Sequence, residues 1–405
     1  MGVFNTYLVP FLFVSGSNWL QGPYFYDVYK AKFGDDLEKG LQLMYVLGYT
    51  AAMVSSLFSG ILVDRFGRKR GCICCCALYF MSCLSVHSNS VNVLIFGRLF
   101  GGIASTLFHT AFESWLNGAT KASVVQATVQ WQTTLGGLVA ICAGFVARLS
   151  ILILGPLGPF DTAGLCSLLS ALLISLLWEE NYGKTKKKVV EPVSKEKKPN
   201  AGFCSFSILA LALTQVSFEA VMHIFIMVWS PILKEAAASN GSEVLVSPGT
   251  AFSMFMAALM VGSQAFSRCV SASPQGNGSI PMHYALASIY AFAGACLLCV
   301  IRTRSNQHLV MLCFFGFEFC CGAYFVGIAS YRSRIIPDSF RASVMSWYRL
   351  PQNFFVICLI LFGGQLGVDS RMVFGGVSLF FGAAVILLLG WGKVGGDVSS
   401  SKKNM

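Results

Sequence analysis

Gly60-Ile61-Leu62-Val63-Asp64-Arg65-Phe66-Gly67-Arg68-Lys69-Arg70 closes one apolar run and precedes another. It reads G-x-x-x-D-R-x-G-R-K-R. Gly60 is expected to let a second helix approach closely. Asp64 sets a carboxylate at the membrane edge, where it can face an arginine or the N-terminus of a neighbouring helix. Gly67 permits a tight reversal. Arg65, Arg68, Lys69 and Arg70 hold the loop on the cytoplasmic side.

The rest of the chain agrees with a membrane setting. Of 405 residues, 55% are hydrophobic and only 12% charged, against ~25% charged in soluble domains. The mean hydropathy is +0.66. That length accommodates about twelve spans of ~20 residues. The net charge of +11 sits between apolar runs and so reflects loop orientation, not nucleic-acid binding. Most of the 15 cysteines fall in or beside apolar helices, where Cys behaves as a small hydrophobe.

Spans are expected at 4–29, 41–64, 71–89, 92–117, 123–148 and 160–178, then at 203–230, 250–270, 283–301, 308–331, 342–366 and 372–392. Between the sets lies a lysine-rich run with Pro192 and Pro199, read as a flexible linker. The expected organisation is a bundle over 1–178, a basic cytoplasmic linker over 179–201, a bundle over 202–392 and a cytoplasmic tail over 393–405. With both termini inside, nineteen of the 29 basic residues fall on the inner side and eight on the outer, which fixes the orientation. Arg98 and Arg349 remain inside helices. The halves echo each other: Phe96-Gly97 recurs as Phe315-Gly316, Ala122-Ser123-Val124 as Ala342-Ser343-Val344, and Trp131 as Trp347.

Charged groups at a membrane centre cost ~2.5–3.5 kcal/mol or more, so they face a cavity or a partner. In the fourth span Arg98, Gly102, Ser105, His109 and Glu113 fall within about 80° on a helical wheel. In the first span Asn18, Gln21, Gly22, Phe25 and Tyr29 form a second stripe, which Pro23 should kink. Tyr24, Tyr26, Tyr45 and Tyr49 are the tyrosines expected near a cavity. Gln130, Gln215, Glu219, Glu318, Arg332, Arg349 and Asn353 complete the polar set. Glu113 and Arg332 occupy matching places in the two halves, as a gate between them would use. No metal-ligand spacing, nucleotide-binding P-loop or nucleophile elbow occurs, so neither an enzyme nor a cofactor is expected.

The opening stretch resembles the signature loop of the major facilitator superfamily. Trp19-Leu20-Gln21-Gly22-Pro23-Tyr24 and Ala111-Phe112-Glu113-Ser114-Trp115-Leu116 resemble that superfamily's molybdate-anion transporter family, as do Gly158-Pro159-Phe160-Asp161 and Phe218-Glu219. The resemblance implies an all-α polytopic membrane protein with 12 transmembrane helices in two pseudo-symmetric six-helix bundles. It also implies molybdate as substrate and a multi-pass position in the plasma membrane or an endomembrane. The superfamily often carries a structural arginine where Arg98 stands.

Moving a dianion inward against 100 mV costs about 4.6 kcal/mol, twice the ~2.3 per charge. Two protons would cancel it. Glu113, Glu219 and Glu318 are the expected carriers. Arg349, helped by Arg332 or Arg98, is expected to hold the oxyanion, with Asn18, Gln21, Tyr24, His109, Gln130, Gln215 and Asn353 around it. Gly60, Asp64, Arg65, Gly67, Arg68, Arg98 and Arg332 are the expected gating or structural set. A proton-coupled transporter of a sugar, neutral metabolite or organic cation is the alternative, and a non-transporting membrane sensor comes third.

Overall fold

The structure, a computed structural model, describes residues 3–183, 206–239, 241, 243–271, 282–335 and 341–401. The linker from 184 on, the tail end 402–405 and the side chain of Arg349 lie outside the described residues. Twelve α-helices follow in order: α1 (Val3–Gln21), α2 (Phe25–Phe33), α3 (Leu37–Phe66), α4 (Arg68–Ser85), α5 (Val91–Ala119), α6 (Ala122–Leu154), α7 (Gly158–Leu177), α8 (Phe206–Ser239), α9 (Pro248–Ser271), α10 (Met282–Arg302), α11 (Gln307–Ile335) and α12 (Arg341–Ser401).

Among the described residues nine stretches are long and apolar enough to cross a membrane, the first, Thr6–Phe66, joining two spans. With α4 and the shorter apolar helix Leu350–Phe362 they make twelve crossings. The first crossing is not one helix. A 3-10 turn at Gly22–Tyr24 separates α1 from α2, because Pro23 has no N–H to continue the ladder. Likewise α6 runs on to Leu154, past the expected end of the fifth span at Arg148.

In the first half α1 packs on α6 and α7, α4 on α5 and α7, and α3 on α5. In the second, α8 packs on α11 and α12, α9 on α11, and α10 on α11 and α12. The halves meet where α6 lies on α9, α3 on α12 and α2 on α8. Each half has an aromatic centre: Trp115 stacks on Trp178 at 3.8 Å, and Phe218 on Tyr324 at 4.0 Å. Lipid tails are as apolar as leucine, so helix association relies on close contact at small residues. A Cβ on Gly102 of α5 would lie 2.3 Å from the carbonyl oxygen of Gly48 and 2.9 Å from Ala51 Cβ. Gly60 does not play the part expected of it. Its added Cβ meets nothing within 4 Å, because it lies on the outer face of α3; Gly48 and Gly102 make the close crossing instead.

The signature loop keeps both expected features, a reversal at Gly67 and an arginine facing Asp64, and gains a carboxylate from Glu180. Gly67 adopts φ 112°, and a Cβ there would lie 2.6 Å from the Glu180 carboxyl. Asp64 pairs with Arg68 at 2.7 Å. The carboxylate at a helix N-terminus is Glu180, which accepts the backbone N–H of Lys69 at 2.7 Å and of Arg70 at 3.2 Å. Negative charge there complements the α4 dipole. Lys69 Nζ donates to the carbonyls of Ser175 and Trp178 at the end of α7, the matching arrangement for a positive charge. Gly183 N–H donates to the Asp64 carbonyl. The expected linker thus begins with a docked segment, 179–183, fastened to the loop by main-chain bonds. Arg65 lies exposed over the Phe66 ring at 5.7 Å.

Gly102→Val should lower stability by about 1–3 kcal/mol through overpacking, read as a fall in Tm in detergent, whereas Gly60→Val should leave Tm unchanged. Equal shifts for the two would contradict this packing.

Candidate functional site

A cavity of about 330 Å³ lies between the halves. From the first half, Asn18, Gln21 and Gly22 face it from the end of α1, Tyr45, Gly48 and Tyr49 from α3, and Arg98, Gly101, Gly102 and Ser105 from α5. α4 adds Tyr79 and Ser82. The second half contributes mainly rings and thioethers, with two ionisable exceptions, His223 on α8 and Glu318 on α11.

Among the described residues Arg98 is the one lysine or arginine lining this cavity. Its guanidinium carbon lies 4.6 Å from the centroid of Phe25 and 5.5 Å from that of Tyr45, within cation–π range. Nε donates to the Met44 carbonyl at 3.3 Å. Glycine at 48 makes the room, since a Cβ there would sit 3.1 Å from Nη2. Among the described residues no carboxylate pairs with Arg98, so its terminal nitrogens keep donors for an anion. Glu318 is buried, and among the described residues no hydrogen bond to its carboxyl is made. Tyr79 OH donates to Asn18 Oδ1 at 3.0 Å, and Gln21 donates to the Ser17 carbonyl at 3.0 Å. His223 Nδ1 donates to the Glu219 carbonyl at 2.5 Å, which leaves Nε2 as the nitrogen available to the cavity.

The structure spreads the expected residues over several places. Asn18, Gln21, Arg98 and Glu318 line the cavity. His109 and Glu113 continue the α5 stripe as exposed residues towards the end that carries the Gly67 loop. Gln130 is exposed on α6, and Asn353 lies half-buried on α12 outside the lining. Gln215, Glu219 and Arg332 form a group within the second half. Gln215 Nε2 and Tyr324 OH donate to Glu219 at 2.8 and 3.0 Å, and Arg332 donates to Gln215 Oε1 at 3.2 Å. Arg332 is therefore engaged with its own half, not with Glu113.

Tyr24 belongs to neither the lining nor the loop end. Its hydroxyl accepts the Gly249 N–H at 3.1 Å, in a seam that joins the halves at the end opposite the loop. Gly144 and Gly249 come into backbone contact there, with an added Cβ on either lying 2.3 or 2.4 Å from the other's carbonyl. Ser253 donates to the Ile141 carbonyl at 2.7 Å and Gln42 to the Ile360 carbonyl at 2.7 Å. Asp27 pairs with Lys234, and Glu38 approaches Arg371 at 3.6 Å. These cross-half bonds gather at the end opposite the loop. These cross-half ion pairs escaped the sequence reading. The available signal was one acid, Asp27, inside the aromatic run Phe25-Tyr26-Asp27-Val28-Tyr29.

Comparison with known proteins places this architecture. A family described as sugar transporters with 12 transmembrane segments matches residues 2–311. The molybdate-anion transporter of Takifugu rubripes is 30% identical over 95% of this chain and 86% of its own length. That of Xenopus laevis is 31% identical over 92% and 81%. Among solved structures, a POT peptide transporter in complex with sulfate superposes with a TM-score of 0.74 at 14% identity, covering 96% of this chain and 95% of its own. The nucleoside transporter NupG does so with 0.67 at 12%, covering 96% and 98%.

The Asp27–Lys234 pair is only about two-thirds shielded, with side chains 34% and 30% exposed, so its contribution is modest. Lys234→Glu, which sets two acids face to face, should raise opening of the seam two- to fivefold, or about 0.4–1 kcal/mol. Hydrogen exchange at the seam ends of α3 and α9 reads this, and Asp27→Lys/Lys234→Asp should restore protection. Unchanged exchange in Lys234→Glu would remove the pair from the seam's energetics.

Proposed function

The chain belongs to the molybdate-anion transporter family of the major facilitator superfamily, and we propose that it moves molybdate across a membrane by exposing the cavity around Arg98 to each side in turn. The observation that carries this reading is a lone guanidinium, unpaired with any described carboxylate, in a cavity shared by the two halves. Planar donors of this kind hold tetrahedral oxyanions by charge-assisted hydrogen bonds. Ser105, Asn18 and Gln21 supply neutral polar groups nearby. Arg349 and Asn353 are assigned as further ligands that α12 brings in when the loop ends of the halves approach.

The conformation described has the halves joined by polar bonds at the seam, the end opposite the loop. By the distribution of bases the loop end is cytoplasmic, so this is the state from which substrate leaves. Opening the other side requires the Gly144–Gly249 contact and the Asp27–Lys234 pair to separate.

Proton coupling follows from charge. A dianion entering alone works against about 4.6 kcal/mol per 100 mV, and two protons remove that cost. An ionised carboxylate in an apolar wall is expensive. Glu318 is therefore assigned the first proton, and Glu113 and Glu219, on the routes towards the loop end, share the second. A proton-coupled neutral solute such as a sugar is the second reading; the aromatic walls favour it and Arg98 opposes it.

Tracer molybdate uptake into vesicles holding the purified chain tests both parts. Arg98→Ala should lower uptake at least tenfold, in keeping with about 1.5–3 kcal/mol for a hydrogen bond to a charged group. Glu318→Gln should remove the stimulation by an acid-outside pH gradient. Wild-type uptake that ignores the gradient would end the proton-coupled mechanism, and uptake undiminished in Arg98→Ala would end the assignment of the anion site.

A further inference from the structure

The cavity is larger and more aromatic than a five-atom oxyanion requires. Its volume of about 330 Å³ falls in the ~300–1,000 Å³ range of sites for organic ligands. Ten of its described lining residues are Phe, Tyr or Trp, a ring-rich surface far larger than the few donors a bare dianion would engage. Several rings stand edge-on to one another: Trp229 meets Phe255 at 5.3 Å and 89°, and Phe225 meets Phe255 at 6.0 Å and 64°. Such arrangements accept another ring in offset or T-shaped contact. Met222 and Met256 lie among them, and thioether side chains adapt to guests of different shape. The charge balance is also that of a monoanion site. Among the described residues Arg98 is the only lysine or arginine in the lining, and the second half answers it with a carboxyl, Glu318, beside the imidazole of His223.

We propose that the cavity also carries aromatic organic monoanions, one- or two-ring bodies bearing a carboxylate or sulfonate, with the head on Arg98 and the rings against the walls that α8 and α9 provide. Trp19 and Phe252, 5.9 Å apart across the two halves, lie where a planar guest would touch both bundles at once. The proposal rests on the reading of this cavity as the transport site, and it adds a substrate class to that site.

The probe is 2-naphthalenesulfonate, whose permanent charge keeps it from crossing a bilayer unaided, with methanesulfonate as the same head without rings. In vesicles holding the full chain, 2-naphthalenesulfonate should inhibit tracer molybdate uptake at concentrations at least tenfold below methanesulfonate. It should also accumulate above the level of protein-free vesicles. Arg98→Ala should lose both effects, and the wild-type comparison carries the test even where that variant fails to fold. Molybdate uptake indifferent to 2-naphthalenesulfonate overturns the proposal and leaves oxyanion transport standing. Equal potency of the two sulfonates, or inhibition without accumulation, overturns it as well. Accumulation of 2-naphthalenesulfonate with no molybdate uptake supports it and sinks the oxyanion reading.

Discussion

A guanidinium held inside a membrane bundle is the constraint to which the rest of this structure answers. At the membrane centre such a charge costs ~2.5–3.5 kcal/mol or more. Here Phe25 and Tyr45 present ring faces, Met44 supplies a carbonyl, and glycine at 48 leaves the space. That support requires α3 and α5 to lie nearly in backbone contact, which the Gly48–Gly102 crossing accomplishes. It also requires α2 to begin at Phe25, which the turn at Gly22–Tyr24 arranges. The break in the first span and the position of the charge are thus one local solution.

The two ends of the molecule are fastened by different means. At the loop end, Glu180, Lys69 and the Asp64–Arg68 pair tie α3, α4 and α7 into one unit. Every one of those contacts stays inside the first half, so the bundle is rigid there without being attached to its partner. At the seam, the contacts run between halves. They combine a glycine crossing, which brings two backbones together, with the partly exposed Asp27–Lys234 pair, separable at small cost. The proposed alternating access would use this difference between the two ends.

Much of this was legible in the sequence because its signals are local. Apolar run length set the spans, the loop motif set the turn at Gly67, and the 100° periodicity put Arg98, Gly102 and Ser105 on one face of α5. Pro23 marked the break in the first span. What stayed hidden depends on distance in sequence. Nothing near Gly60 shows that it faces open space while Gly48 makes the crossing. Glu180 reads as part of a polar linker until the chain folds back to place it beneath α4. Tyr24, expected near the cavity, lies in the seam instead, in the turn that precedes α2. Glu318 and Arg332 are both on α11, but only Glu318 reaches the cavity, because Arg332, nearer the loop end, bonds to Gln215.

The account stands or falls on whether the Arg98 guanidinium meets the transported anion. Molybdenum scatters X-rays anomalously, so crystals of the full chain grown with molybdate and measured at its absorption edge locate the ion without a model of the site. The predicted result is one anomalous peak in the central cavity, with its oxygens within about 3 Å of the Arg98 nitrogens, the span of a charge-assisted hydrogen bond. A peak confined to the Arg68–Arg70 loop or the seam, with the cavity empty, would contradict it.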